Sequence, residues 1–219
     1  MDITEKGRLS AYEQLKTYDP SKTNHLVKTL ILEGYDGIQV PGIMRRVEGT
    51  AFKGMVAVGF SSPYRYGKGQ GRLRVPAFVP KEEIVKTITP YQVLEKPISG
   101  RTSCLKALQE VNELAKNLNI NLGVWGSSGL EVYTGLPYTD KDSDLDLLIR
   151  GQDFKVIEEF YFSLLAISKK YGCQIDPELD LPNGYGVKLA ELFMHTTDVL
   201  GKSMKGVNLI PKKTILEML

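Results

Sequence analysis

Two cysteines, Cys104 and Cys173, are all that the 219 residues contain. They are too few for a disulfide framework and lack metal-ligand spacing, so both read as reduced, buried structural thiols. His25 and His195 each stand apart from any other His or Cys, which leaves no zinc-type set and no marked histidine base. The chain has no G-x-x-x-x-G-K-[ST] phosphate loop and no G-x-S-x-G elbow, so P-loop and Ser-His-Asp chemistry lack their signatures. No apolar run approaches the ~20 residues that span a bilayer, and no membrane partner is expected. Met1 to Tyr18 is charged and has no apolar signal core, so the expected location is the cytoplasm. No internal repeat or low-complexity tract occurs.

Charge of one sign is missing locally. No acidic residue lies between Glu48 and Glu82, whereas Lys53, Arg65, Lys68, Arg72, Arg74 and Lys81 all do. Within that interval, Ser61 to Gly71 (SSPYRYGKGQG) reads as a Gly-rich basic loop whose arginines suit bidentate phosphate contacts. Tyr64 and Tyr66 are placed to stack on a base. The loop is short and the pI of about 8.4 is low for a nucleic-acid footprint, so no nucleic-acid partner is expected. The imbalance extends to the halves. Residues 1–99 carry 15 basic and 10 acidic side chains, and residues 100–219 carry 13 and 16, giving +5 and −3. A basic half and an acidic half suit a polyphosphate substrate lying between them.

What is present is an ordinary globular composition, 42% hydrophobic and 25% charged, long enough to bury a core. Pro80, Pro90, Pro97 and Ser99-Gly100 place a boundary between residues 79 and 100, giving domains 1–99 and 100–219. In the first, a helix is expected from Ala11 to Tyr18, broken at Asp19-Pro20-Ser21 and followed by His25–Leu32. Strands are expected at Gly42–Glu48 and Met55–Phe60. In the second, Leu105, Leu108, Val111, Leu114 and Leu118 mark one helix face, ended by Asn119 and followed by a strand to Trp125. A further helix is expected over Asp153–Tyr171, capped by Asp153 and stopped by Gly172, with Phe160, Tyr161 and Phe162 turned to the core. Cys173–Leu189 reads as a hairpin about Asn183-Gly184. From Glu191 onward the expectation is helix in pieces, interrupted at Gly201, Gly206 and Pro211.

Val124 to Arg150, VWGSSGLEVYTGLPYTDKDSDLDLLIR, organises the chain. On a strand, Asp144 and Asp146 share one face while Leu145 and Leu147 take the other. Their separation of about 7 Å lets their oxygens converge on a hard cation. Upstream, Gly126 permits a tight strand-to-helix turn, and Ser127 adds a hydroxyl and a helix-start amide. Amides at a helix N-terminus favour phosphate. Phosphate at Gly-Ser beside metal at Asp-x-Asp is a layout for metal-assisted phosphoryl or nucleotidyl transfer.

Gly-Ser, a helix and then Ser143-Asp-Leu-Asp146-Leu-Leu148 resembles the polymerase-β-like nucleotidyltransferase superfamily. Within it, GSSGLEVYTGLPY…DSDLDLLI is similar to the malonate decarboxylase holo-acyl-carrier-protein synthases, or phosphoribosyl-dephospho-coenzyme-A transferases. Looser similarity covers Asp176-Pro-Glu178 through Val187. In the first half it covers Met44-Arg45-Arg46, Val56-Ala-Val-Gly59 and Gln70-Gly71-Arg72, while the residues to about Leu32 match poorly.

The resemblance implies an α+β chain: a small mixed-β amino-terminal domain, then a nucleotidyltransferase-fold domain with a mixed sheet flanked by helices. It implies an enzyme that moves the phosphoribosyl-dephospho-coenzyme-A group from its triphosphate donor to a serine of the malonate decarboxylase acyl carrier protein, releasing pyrophosphate. Asp144 and Asp146 would hold Mg²⁺, and Gly126 and Ser127 would grip the pyrophosphate. Arg45, Arg65 and Arg72 would secure the donor's phosphates. A third carboxylate is expected from the acidic face of Asp176, Glu178 and Asp180, with Asp176 and Glu178 ahead of Asp180. Pro177 is expected to break that strand's alternation or force a bulge. Two other readings stay open: a nucleotidyltransferase acting on another small molecule or RNA, and a catalytically silent binding module of the same fold.

Overall fold

A computed structural model describes residues 1–18, 23–47, 53–66, 71–151 and 153–219. The expected break at Asp19-Pro20-Ser21, the end of the strand expected to Glu48, and Lys68 lie outside the described residues. By internal contacts the chain divides into two compact units, residues 1–88 with 136–138, and residues 89–135 with 139–219.

The first unit contains β1 (Asp2–Ile3), α1 (Glu5–Tyr18), α2 (His25–Lys28) and a wider turn at Thr29–Glu33. It continues through β2 (Ile43–Met44), β3 (Met55–Tyr66), β4 (Gly71–Pro80) and β5 (Ile84–Lys86). Its pairings are antiparallel throughout, β2-β3-β4 in one sheet and β1-β5 in another. Val75, Ala77 and Val79 alternate along β4 and meet Val58 and Phe60 of β3, with Ala11, Val27, Leu30 and Ile31 completing the core. α1 starts earlier than the apolar pattern indicates because Thr4 caps it: the Gly7 amide donates to Thr4 Oγ1 at 3.0 Å. Arg8, 3% exposed, donates to the carbonyls of Ile3, Ile31 and Val40 at 3.3, 3.0 and 2.7 Å. This buried guanidinium ties three segments together, and burial lowers its pKa.

The basic stretch expected as a loop over Ser61–Gly71 is strand over Ser61–Tyr66 and at Gly71, while residues 67–70 lie outside the described residues. Ser61 to Tyr66 continues β3, and the ladder resumes at Arg65↔Arg72 after an irregularity between Ser61 and Arg65. Pro63 falls in that irregular step, where a missing amide interrupts no ladder bond.

The second unit runs α3 (Pro90–Val93), α4 (Ser103–Asn117), β6 (Asn121–Val124), α5 (Gly126–Thr134), β7 (Leu145–Arg150), α6 (Phe154–Tyr171), β8 (Ile175–Asp180) and β9 (Gly186–Lys188). It ends with α7 (Leu189–Leu192), β10 (Asp198–Ser203), β11 (Gly206–Pro211) and α8 (Lys212–Leu216). The six strands are ordered β11-β10-β9-β8-β7-β6, with β7 and β8 parallel and the other pairs antiparallel, so the sheet is mixed. Leu145, Leu147, Ile149, Leu179, Val187 and Val199 form its buried face. Packed there are the apolar stripes of α4 (Leu105, Leu108, Val111, Ala115) and α6 (Ile157, Phe160, Leu164, Ile167). The opposite face carries Asp146, Asp176, Glu178, Lys188 and Lys202 by register.

Several elements depart from the sequence reading. Asp198 to Pro211 is a β-hairpin rather than helix, because a period-2 pattern runs through β10 and the chain reverses at Met204-Lys205. Phe162 lies outside the core, 54% exposed, while Phe160 is buried and Tyr161 stacks on Phe193 with ring centroids 4.6 Å apart. Pro177 neither breaks alternation nor bulges β8, since Leu145–Ile149 pair with Ile175–Leu179 without a shift. The Leu181 amide donates to Tyr185 in the β8–β9 turn. By period 2 the nitrogen of Pro177 faces that same side, where pairing begins only at Glu178, so no ladder bond is lost.

Candidate active site

The site is built where β7 and β8 start. Parallel pairing sets Asp146 directly beside Asp176, and Asp144 leads into β7. One carboxylate oxygen from each of these three residues lies within 4.8 Å of the others. Among the described residues this is the group of acids close enough to share a cation. Asp144 is exposed, while Asp146 and Asp176 are half-buried. Partial burial and the neighbouring charges of Asp144, Asp176 and Glu178 push the Asp146 carboxyl up to about 6, against a smaller opposing pull from Lys188. Three hard oxygens whose mutual repulsion is only partly offset fit a divalent cation such as Mg²⁺ or Mn²⁺.

Facing the acids is the start of α5. Gly126 has φ +60, and a Cβ built there would lie 2.0 Å from Asp146 Oδ2. Glycine is therefore required twice over, by backbone conformation and by the carboxylate against it. Trp125, the N-cap residue, makes no side-chain capping bond, so the leading amides around Gly126 and Ser127 receive no acceptor from it. The helix thus presents an uncapped positive end next to the carboxylates, suited to an anion.

The connection from α5 to β7 is fastened on both sides. Glu131, 4% exposed, accepts from Arg101 Nε at 2.7 Å and Nη2 at 2.8 Å, and from the Thr139 amide and hydroxyl at 2.6 and 2.7 Å. These bonds outweigh burial and hold its pKa below the ordinary range. Next, Asp140 Oδ1 accepts from the Asp142 amide and the Ser143 hydroxyl, forming a side-chain turn immediately before Asp144. Cys173 Sγ donates to the Ser143 carbonyl at 3.5 Å, and the Leu145 amide donates to Gln174 at 2.8 Å. Both cysteines are buried free thiols, as their spacing indicates. Gln174 Nε2 donates to Asp176 Oδ2 at 3.0 Å, an orienting contact the sequence reading missed. The available signal was its position two residues before Asp176 on the same strand face.

The three candidates for the third carboxylate separate. Asp176 joins Asp144 and Asp146. Glu178 lies one step further along the same face, near Lys202. Asp180 is held at the far end of β8, accepting from Tyr91 Oη at 2.8 Å and Arg150 Nε at 2.7 Å, about 13 Å along the strand from Asp176. A cavity of about 950 Å³ opens at that far end, lined by Asn119, Asn121, Arg150, Asp153 and Asp180. It lies away from the acids, and the chemistry of the donor set, rather than cavity size, locates the site.

Arg45, Arg65 and Arg72 belong to the first unit, and the acids to the second. Arg65 is exposed on β3, opposite Arg72 on β4. Arg72 donates to the carbonyls of Pro63 and Tyr138 and, at 3.4 Å, of Ser62, with its guanidinium 5.8 Å from the Tyr138 ring centroid. These Nη1 and Nη2 contacts lie within the first unit. Arg45 follows β2, half-buried, its amide bonded to Ala57 at 3.1 Å.

Residues 93–213, more than half of the chain, match the family described as phosphoribosyl-dephospho-CoA transferase MdcG C-terminal domain. A protein of Pseudomonas syringae pv. tomato named phosphoribosyl-dephospho-CoA transferase is 30% identical over 176 residues, covering 78% of this chain and 77% of its own. One of the same name from Pseudomonas fluorescens is 29% identical over 170 residues, with the same coverage. A third, from Xanthomonas campestris pv. campestris, is 24% identical over 184 residues, 84% of each chain. No solved structure gives a significant match.

Proposed function

The chain belongs to the phosphoribosyl-dephospho-CoA transferase family, and from that premise we propose that it transfers the phosphoribosyl-dephospho-CoA group. The donor in this reading is the triphosphate of that group, the acceptor is a serine of the malonate decarboxylase acyl carrier protein, and pyrophosphate leaves. The observation that carries the reading is the meeting of three carboxylates with the uncapped start of α5. The strand–helix–strand order β6–α5–β7, with Gly-Ser at the turn and Asp-x-Asp on the returning strand, supports placement in the polymerase-β-like superfamily.

In the mechanism, Asp144, Asp146 and Asp176 would hold Mg²⁺, which when bound neutralises polyphosphate charge and stabilises the attacking and leaving oxygens. The chain's own groups do the rest. The amides of Gly126 and Ser127 bind the departing pyrophosphate at the positive end of α5. Gln174 keeps the Asp176 carboxylate turned toward the reacting centre. Asp176 is also placed to receive the serine proton as the serine oxygen bonds to phosphorus and the bond to pyrophosphate breaks. Burial of Leu145 and Leu147 fixes the strand that carries Asp144 and Asp146, so the site is organised before substrate arrives.

The deciding experiment incubates the protein with triphosphoribosyl-dephospho-CoA, the apo carrier protein and Mg²⁺. It follows both pyrophosphate release and the carrier's mass. A mass gain equal to the phosphoribosyl-dephospho-CoA group, dependent on Mg²⁺ and lost with EDTA, is expected. Pyrophosphate release without modification of the carrier would replace the acceptor, and no release would sink the transferase reading.

A further inference from the structure

Glu178 shares the sheet face of Asp146 and Asp176 but stands outside the group of converging oxygens. Its carboxylate reaches the other way, across β9. Oε2 lies 3.2 Å from where a side chain at position 186 would begin, and Oε1 is 3.9 Å from Lys202 Nζ. Glycine at 186 leaves the passage open, because Gly186 is the cross-strand neighbour of Lys202 on β10. The direct cross-strand partner of Glu178 is itself a lysine, Lys188. The Glu178 side chain is 14% exposed, whereas that of Lys202 is 48% exposed. A shielded carboxylate is thus flanked by two cations that remain open to solvent on the side of the acids away from α5.

That side has a use in the reaction proposed above, on which this inference rests. α5 and the carboxylates provide for the triphosphate. The transferred group, however, is itself a phosphate-rich ester, and its remaining phosphates need cations of their own. We propose that Lys188 and Lys202 bind a non-leaving phosphate of the donor, and that Glu178 is a positioning residue for this lysine pair rather than a metal ligand. The carboxylate limits where the flexible ammonium groups go, and a bound phosphate then completes their charge balance.

The test compares wild type with Lys188→Ala/Lys202→Ala, Lys188→Arg/Lys202→Arg, Glu178→Gln and Asp176→Asn. Steady-state pyrophosphate release gives kcat and the donor KM. Calorimetry gives affinities for Mg²⁺ alone and for dephospho-CoA alone, and thermal melts check folding. The double alanine variant is expected to raise the donor KM at least tenfold and weaken dephospho-CoA binding to the same degree. Its kcat should change less than threefold and its Mg²⁺ affinity should not fall, since removing Lys188 takes a positive charge from beside Asp146. The double arginine variant should return KM to within threefold of wild type. Glu178→Gln should raise KM three- to tenfold and keep Mg²⁺ binding, while Asp176→Asn loses it. Loss of Mg²⁺ binding in Glu178→Gln would place Glu178 among the metal ligands and overturn the assignment. Unchanged dephospho-CoA affinity in the double alanine variant would remove the lysines. If wild type releases no pyrophosphate, the transferase reading fails by itself, and the dephospho-CoA titrations still decide for or against the lysines.

Discussion

At Gly126 a hydrogen in place of a methyl group decides whether helix and carboxylate can share one corner. Gly126→Ala puts a Cβ 2.0 Å from Asp146 Oδ2 at a φ of +60, so the turn or the carboxylate must move. Transfer activity should fall by about 100-fold or more, since a displacement of 1 Å costs that much in positioning. The strained backbone should also cost about 1 kcal/mol in urea unfolding. Asp146 gives a second prediction, in pH. Its folded pKa of about 6 lies above the ordinary carboxyl value, so the folded state binds the proton more tightly. Its contribution to stability is therefore complete below about pH 4 and is lost as pH rises through 6. Solvent screening at this half-exposed group leaves about 1 kcal/mol of that slope. In EDTA, Asp146→Asn should flatten the fall in Tm between pH 4 and 7 and melt no lower than wild type at pH 7, while abolishing transfer. A variant that melts well below wild type would contradict the repulsion. Glu131 acts in the opposite sense, as a satisfied buried acceptor. Glu131→Ala strands Arg101 and the Thr139 amide and should cost about 2–3 kcal/mol by chemical denaturation.

Among elements, α6 shows its ends most plainly. Asp153 accepts from the amides of Lys155 and Val156, and Gly172 closes the helix at φ +61. Asp153→Ala should cost about 1 kcal/mol in thermal or urea unfolding, with little effect on donor KM. Both ends were legible because capping chemistry is local. So were the stripe of α4, the Asn183-Gly184 turn, and the Gly126-Ser127 and Asp144–Asp146 segments, each written in a few consecutive residues. What was not legible depended on partners distant in sequence. The β10–β11 pair looked like broken helix because Gly201 and Gly206 punctuate it, whereas the two segments pair along their whole length and β10 adds to β9 at Gly201 and Lys202. Pro177 looked like a fault in β8, yet its nitrogen faces a stretch where β9 has not begun pairing. The choice of Asp176 over Glu178 and Asp180 followed from the β7–β8 register, which no local pattern encodes. The contacts of Arg72 Nη1 and Nη2 with the carbonyls of Pro63 and Tyr138 also join segments far apart in sequence.

For the molecule as a whole, the proposed cation binding would be linked to folding, because the three oxygens converge only in the native sheet. Mg²⁺ at about 100 times its dissociation constant should stabilise wild type by about 2.7 kcal/mol. Asp144→Asn and Asp176→Asn should lose most of that gain, as read from Tm against Mg²⁺ concentration. Equal shifts in all three proteins would mean the ion acts elsewhere.

Parallel pairing of β7 with β8 has a temporal consequence. Asp146 and Asp176 come from strands separated by the whole of α6, so no local hairpin can bring them side by side. The crossover must close first, which makes the cage a late product of assembly. If the three acids hold Mg²⁺ as proposed, a nascent or partly opened chain has no trap for it, and ion occupancy should report that the sheet is finished.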